Sequence, residues 1–520
     1  MANKKGEKNI IVSLIKIAVS IIVFLVQIMV FYVIYVSSVE FGKTFSLAST
    51  FIQLVLVLYI LYGHEKLAYK IAWLMFIMFF PIAGIIIYFL WGKRKVSKKM
   101  KLARDKTIAN SHHLLHDDEN ILKQIEIKDR LVAKQVKLLK KITNYPVYEN
   151  DSIEYLDIGE KCFESIIKDL QNAKKYILIE FFIIAKGNLF DRLYEVLKSK
   201  AKEGVKITII ADGWGSLLRY PKEKLNELEK LGVIVQKYNP LRFGINTYIN
   251  YRDHRKIVVV DGIVAYTGGI NIADEYVNEQ IRFGHWKDTG VRVTGKTVES
   301  FLVAFLKNYE IATNTKPDYE WYINNKLQEE KKINQSKNKG YNLFFTDGPD
   351  NRKNPGENAY ISILNNAKDY VYIYTPYFVA SPEMLDAIQN AANGGVDVRI
   401  ITPHKPDKWY VHLTTRSYYK TLIKSGVKVY EYLPGFLHAK SFVSDDNLAI
   451  IGSINLDYRS LNLSYECALW MYETGTELDI KQDFIETMNK SVEITLEEVN
   501  KKNIFVKLLE AIVNTFAPLL

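Results

Sequence analysis

Cysteine is almost absent: 520 residues contain two, Cys162 and Cys467. That excludes a disulfide framework, and neither thiol stands at a metal-ligand spacing. Both read as small buried side chains, and the globular part of the chain as made for a reducing compartment. No small-x-small cleavage site follows the first apolar run, so that run is not a removable signal peptide, although Lys4, Lys5 and Lys8 precede it. Interleaved aromatic and basic motifs of the nucleic-acid-binding kind are also missing. The net charge of +11 therefore points elsewhere. Lys93, Arg94, Lys95, Lys98, Lys99, Lys101 and Arg104 follow directly on an apolar stretch, where an anionic leaflet attracts a basic cluster.

What the amino-terminal part does have is long apolar runs. They cover 10–36, 45–62 and 71–91, the last with Pro81 and Gly84 inside. Each reaches or approaches the ~20 residues that cross a bilayer as a helix, and Pro and Gly are tolerated in such helices. The expectation is a membrane region over 1–92, its second and third helices forming a hairpin. The positive-inside rule favours a cytoplasmic catalytic region, while the basic amino terminus argues the other way. Residues 93–150 are charged and helix-prone, a basic helical connector.

From about 150 the chain alternates helix and strand patterns, and it does so twice. Helix Phe163–Asn172, strands Tyr176–Ile184 and Val205–Ala211, helix Lys222–Leu231 and strand Val233–Tyr238 come first. Helix Ala359–Ala367, strands Tyr370–Thr375 and Val396–Thr402, helix Thr415–Lys424 and strand Val427–Tyr432 repeat the order. This predicts an α/β sheet in each of two halves, 151–335 and 336–495. Residues 496–520 close the chain as an amphipathic helix. Ile504, Leu508, Ile512 and Phe516 recur every four residues, with Phe505, Leu509 and Val513 beside them. Packing on the protein is its expected role, with the membrane interface as the alternative.

Each half carries one copy of a longer motif. The first reads His254, Lys256, Asp261, Gly268, Gly269, Asn271, and the second His438, Lys440, Asp445, Gly452, Ser453, Asn455, with every spacing the same. Residues i and i+2 of a strand share a face, so each His and Lys project together. Two such half-sites facing each other would surround one phosphate. One histidine attacks phosphorus and the other serves the leaving and entering alkoxides as acid and base. Lys256, Lys440, Asn271 and Asn455 would stabilise charge on the non-bridging oxygens. The lysines supply positive charge, so no metal or other cofactor is expected. The aspartates Asp261 and Asp445 belong to the catalytic motif, but they sit where a turn favours Asp, and support is the expected role. Asp288 and Glu466 follow their histidines, and each is a candidate to bond the far ring nitrogen and fix its tautomer. His404 and His412 lack partners at a recognisable spacing.

The pattern His-x-Lys-x4-Asp-x6-Gly-Gly/Ser-x-Asn resembles the phospholipase D superfamily. Longer stretches resemble its bacterial cardiolipin synthases: Thr375-Pro-Tyr-Phe, Arg416-Ser-Tyr-Tyr, Pro434-Gly-Phe-Leu-His-Ala-Lys, Gly452-Ser-Ile-Asn-Leu-Asp-Tyr-Arg-Ser and Gly269-Ile-Asn-Ile-Ala-Asp-Glu-Tyr. The Ala72-Trp-Leu…Pro81…Gly84…Tyr88 arm and the closing Ala517-Pro-Leu-Leu are similar to the same family, so the resemblance runs from about residue 45 to the end. It implies two pseudo-symmetric phospholipase D-like α/β sandwich halves preceded by an N-terminal transmembrane helical region. It also implies transfer of a phosphatidyl group between two phosphatidylglycerols, giving cardiolipin and glycerol, by a multi-pass protein of the cell membrane. The alternative is a related phosphatidyltransferase or phospholipase whose acceptor is serine, a glycolipid or water. The run 10–36 is a departure, since many relatives have only the hairpin.

Overall fold

The computed structural model describes residues 22, 25, 26, 29, 39–63, 65–92, 98–240, 251–327, 339–351 and 353–519. They form two compact units. The smaller holds the amino-terminal helices and the chain end from Ala511, and the larger covers 98–240 and 251–510.

In the smaller unit, helix Val39–Tyr62 contains the expected segment 45–62. The expected helix 71–91 is broken. Leu67–Phe79 ends at Phe80, Pro81 opens Pro81–Ile87, and a π turn Tyr88–Gly92 follows. Proline has no N–H to give to a continuing helix but suits the first position of a new one. The new helix folds back closely: a Cβ on Gly84 would lie 2.8 Å from Ile77 Cα, and the rings of Trp73 and Tyr88 meet edge to face at 5.2 Å. Among the described residues no helix is long and apolar enough to cross a membrane. The expected helix 10–36 lies almost wholly outside the described residues.

The larger unit opens with helices Lys98–Ser111, Glu119–Lys128 and Arg130–Thr143. Asp118 and Asp129 cap the last two by accepting from Asn120, Leu131 and Val132 N–H groups. Val132, Val136 and Leu139 bury one face of Arg130–Thr143, and Gln135 Nε2 donates to Ala359 O at 3.1 Å. This part of the connector is thus packed onto the second half.

In chain order the strands are β1 (Tyr148–Glu149), β2 (Ser152–Leu156), β3 (Tyr176–Phe181), β4 (Lys206–Asp212), β5 (Ile234–Tyr238), β6 (Arg252–Asp253), β7 (Ile257–Val260), β8 (Val264–Gly268), β9 (His285–Lys287), β10 (Gly290–Thr294), β11 (Tyr341–Asp347), β12 (Tyr370–Tyr374), β13 (Asp397–Pro403), β14 (Lys428–Tyr432), β15 (Gly435–Leu437), β16 (Ser441–Ser444), β17 (Leu448–Gly452), β18 (Ser464–Tyr472) and β19 (Ser491–Glu493). One sheet runs β2-β10-β8-β7-β3-β4-β5, and the other β1-β11-β18-β17-β16-β12-β13-β14-β19. Without its end strands β1 and β19, the second order repeats the first strand for strand. In both, the three strands on one side are parallel and the hairpin carrying the motif is antiparallel.

The central strands β3, β4, β7 and β8 of the first sheet are buried on both faces, which is why they are largely apolar, while β2 and β5 at its edges are only partly buried. Tyr176 and Leu178 of β3 join a core shared with the second half, whereas Ile177, Ile179 and Phe181 face the core under helices Gly159–Asn172 and Asn188–Lys202. The expected boundary at 335/336 lies outside the described residues.

At the chain end, the expected helix 496–520 is two helices, Leu496–Asn500 and Ile504–Phe516. The expectation that its apolar face packs on the protein is overturned. Ile504, Phe505, Leu508, Leu509 and Ile512 are exposed, and the inward residue is Glu510.

The motif aspartates are scaffold. Asp261 and Asp445 end β7 and β16 in left-handed turns, with φ of 52° and 51°. Asp261 accepts from the N–H groups of Lys174, Lys175 and Tyr176 at 2.7–2.8 Å. Asp445 does the same for Lys368, Asp369 and Tyr370 at 2.8–3.0 Å. Each carboxylate clamps the start of the neighbouring strand, at the hairpin end opposite the His and Lys. Asp445→Ala should cost on the order of 1–2 kcal/mol, because the exposed Lys368 and Asp369 N–H groups can turn to water and only the half-buried Tyr370 N–H bond is lost without full replacement. A lower denaturation midpoint, with turnover per folded molecule retained, is the expected measurement.

Candidate active site

The two halves interlock at their histidines. β9 of the first half pairs in parallel with β15 of the second, and β18 of the second with β6 of the first. Each histidine emerges just after its pairing strand, and its backbone is held by the other half. His254 N–H donates to Tyr465 O at 2.8 Å, and His438 N–H to Lys287 O at 2.7 Å. The next residue after each of these carbonyls is an acid, Glu466 or Asp288.

The acids therefore serve the opposite histidines. His254 Nδ1 lies 2.9 Å from both Glu466 carboxyl oxygens, and His438 Nδ1 lies 2.6 Å from Asp288 Oδ2. The expectation that each acid orients the histidine it follows is corrected. Chain order puts acid after histidine within a half, but the inter-half strands exchange the partners. Nδ1–H donates to the carboxylate, which leaves Nε2 of both rings as the lone-pair nitrogen. Lys440 Nζ, 2.7 Å from His438 Nδ1, is a close cation contact, because that nitrogen's proton is already committed to Asp288.

Each lysine turns back on its own histidine. Lys256 Nζ donates to His254 O at 2.6 Å, and Lys440 Nζ to His438 O. Burial pushes Lys256 down to about 8 and Lys440 to about 7. Burial and the lysines depress both imidazoles, His438 to about 3 and His254 well below its ordinary value. The carboxyls diverge. Burial raises Glu466 to about 8. At Asp288 burial is outweighed by Lys440 and His438, which hold it below the usual carboxylate range.

The glycine-rich turns close over the acids. Gly269 N–H donates to Thr289 O at 3.0 Å, and Ser453 N–H to Cys467 O at 2.9 Å, equivalent bonds beside equivalent acids. A Cβ on Gly269 would lie 2.1 Å from Asp288 Oδ1, so no larger residue fits. At the matching position the Ser453 hydroxyl donates to Glu466. Asn271 is braced by Ile183 N–H at 3.1 Å and by Tyr276 OH at 2.8 Å. Asn455 donates to Ser460 Oγ at 3.1 Å, and its Oδ1 is buried without a partner.

Sequence reasoning missed the aromatic walls. Phe182 packs on His254, and Tyr276, Trp286 and Phe436 surround His438. The segment His285-Trp-Lys-Asp288 held the signal: an aromatic and a basic residue next to an acid. Lys287 pairs with Asp483 at 2.6 Å, tying β9 into the second half. His404 belongs to a separate network on Glu431, with Arg416. Among the described residues no group of three or more His, Cys, Asp or Glu is placed to hold a metal ion.

Two carboxyl-backed imidazoles and two lysines are thus contributed by paired half-sites of one repeated α/β fold. Residues 166–282 and 360–491 match the family described as "Cardiolipin synthase, PLD-like domain". Residues 51–93 match a phospholipase D-nuclease amino-terminal family. An uncharacterized protein of Streptococcus mutans is 39% identical over 89% of this chain and 99% of its own. Cardiolipin synthases of Listeria monocytogenes and Alkalihalophilus pseudofirmus are 32% and 31% identical, each over 86% of this chain, and over 93% and 88% of their own. The phosphatidylserine synthase of Haemophilus influenzae shares the fold, with TM-score 0.56 and 17% identity over 74% of this chain and 98% of that one. The chain belongs to the cardiolipin synthase family of phospholipase D-like proteins.

The lysine values set a pH dependence. An amine is charged below its pKa, so Lys440 loses its proton as pH rises through about 7 and Lys256 through about 8. Affinity for a phosphodiester of fixed charge, such as glycerophosphoglycerol, should fall between pH 7 and 9. Calorimetric titration across that range checks it, and a flat profile would exclude the two ammonium groups as the anion's ligands.

Proposed function

We propose that this chain joins two phosphatidylglycerol molecules into cardiolipin and glycerol through a phosphohistidine. The observation that carries the chemistry is the exchanged pairing of His254 with Glu466 and His438 with Asp288. Family membership supports the substrates.

The halves are alike in residues but not in charge, and that divides the labour. The ionised Asp288 makes His438 the ring better able to hold a second proton, so His438 is the general acid. A bound phosphodiester anion offsets the lysines and raises its proton affinity. Burial raises Glu466 to about 8, so it holds a negative charge less readily than Asp288 and stabilises a second proton on His254 less. His254 keeps its Nε2 lone pair and is the nucleophile.

In the first step Nε2 of His254 attacks phosphorus. The phosphorus–oxygen bond to the headgroup glycerol breaks as His438 protonates that oxygen. In the second step the terminal hydroxyl of another phosphatidylglycerol gives its proton to His438 and attacks phosphorus, and the phosphorus–nitrogen bond breaks. Lys256 and Lys440 neutralise the non-bridging oxygens throughout, with the Asn271 and Asn455 amides in support.

The reading includes a multi-pass protein of the cell membrane with a cytoplasmic catalytic region, meeting phosphatidylglycerol and anionic lipid rather than nucleic acid. The apolar runs before residue 92 and the basic cluster after it support this. The five-part division at 92, 150, 335 and 495 stands with it.

Purified protein given phosphatidylglycerol alone should release cardiolipin and glycerol in equal amounts. Phosphatidic acid in place of cardiolipin would make water the acceptor, and absence of all three products would sink the assignment. His254→Ala and His438→Ala should each lower the rate by about 10²–10⁴-fold or more. Quenching during turnover and mapping the phosphorylated peptide should place the phosphoryl group on His254; a label on His438 would reverse the two roles.

A further inference from the structure

The helix Ile504–Phe516 is oriented the wrong way for one that serves a protein core. Relative exposures run from 43% at Leu509 to 78% at Phe505, with Ile504, Leu508 and Ile512 between them. At about 100° per residue these five side chains lie within roughly 140° of arc. The opposite side turns inward. Glu510 is buried and pairs with Lys502 at 2.5 Å, and Lys502 also donates to Arg416 O at 3.2 Å. An ion pair holds the polar side to the protein and directs the apolar side away from it.

We infer that this apolar arc lies in the interface of an anionic lipid bilayer. The helix has 13 residues, about 20 Å of length, against the ~30 Å of a hydrocarbon core. It fits in the plane of the membrane and not across it. Its charge suits an anionic surface: the exposed Lys507 lies about 60° beyond the arc, the helix's only acid is the buried Glu510, and Lys501 just before the helix pairs with Glu497. In a symmetric pair of such helices Lys507 of both copies would converge with no acid on the arc to receive it. On an anionic leaflet it meets phosphates. In the smaller unit, the turn Ala517–Leu519 that follows packs against helix Leu67–Phe79, whose Leu67, Ile71, Met78 and Phe79 are likewise exposed. The inference rests on the membrane reading above. It adds that the end of the chain, and not only the amino-terminal runs, contacts lipid.

The test is site-directed spin labelling of the full chain in vesicles containing phosphatidylglycerol. Cys162 and Cys467 are buried, so cysteines introduced at Ile504, Leu508, Ile512 and Asn514 can be labelled selectively. Labels at 504, 508 and 512 should be accessible to oxygen and shielded from a water-soluble nickel complex, and the label at 514 should not show that pattern. Nickel access at all four positions, or dipolar broadening from a second copy, would overturn the inference. The double substitution Leu508→Ser with Ile512→Ser should raise the apparent KM for vesicle lipid about tenfold and leave kcat within about twofold. An unchanged KM would count against the inference, and activity in detergent micelles monitors folding. The label pattern needs no turnover, so failure to form cardiolipin would sink the acceptor assignment and leave this test standing.

Discussion

A buried imidazole, a buried ammonium and a buried carboxyl cannot stand alone, and this site holds two of each. An isolated charge in an apolar interior costs far more than a domain's net stability. The solution is an exchange: the first half supplies Asp288 to His438, and the second supplies Glu466 to His254. Neither half is then electrostatically complete. Each half takes the hydrogen-bond partner of its histidine from the other, so the pairing fixes how the halves fit as well as that they fit. The shared core and the Lys287–Asp483 pair act in the same direction.

The exchange works only if strand geometry delivers it. Two short parallel pairings, β9 with β15 and β6 with β18, set each histidine's backbone against the carbonyl that precedes the foreign acid. Because consecutive strand residues alternate faces, that register also decides which side of the strand the acid occupies. A one-residue slip would turn Asp288 or Glu466 away from its imidazole. The site is thus positioned by main-chain bonds across the halves, and its side chains add the proton and charge chemistry.

Much of this was legible in the residues. Asp261 and Asp445 sit at turn positions, and they clamp strand starts as turn aspartates do. Alternating apolar strands gave the repeat, because local periodicity reflects which faces are buried. The exchange of Asp288 and Glu466 was not legible, since linear spacing carries no information about pairing between halves. The break at Phe80 was signalled by Pro81 but masked by an apolar run that would continue without it. The outward arc of Ile504–Phe516 escaped for a different reason. Periodicity identifies an apolar face but not the direction it points, and the inward side here is marked by Glu510, paired with Lys502, which in turn bonds the distant Arg416 O.

The repeat is symmetric in fold and unsymmetric in protonation, and the difference traces to the surroundings of two carboxyls. Gly269 leaves no room for a side chain beside Asp288, where burial is outweighed by Lys440 and His438, which favour its ionised form. Ser453, at the equivalent position, gives Glu466 a neutral hydroxyl, and burial prevails there despite Lys256. A substrate entering between the histidines meets one ring backed by negative charge and one that is not. In the proposed two-step transfer one imidazole gives a proton while the other gives an electron pair, and unequal carboxyls favour one assignment of those parts.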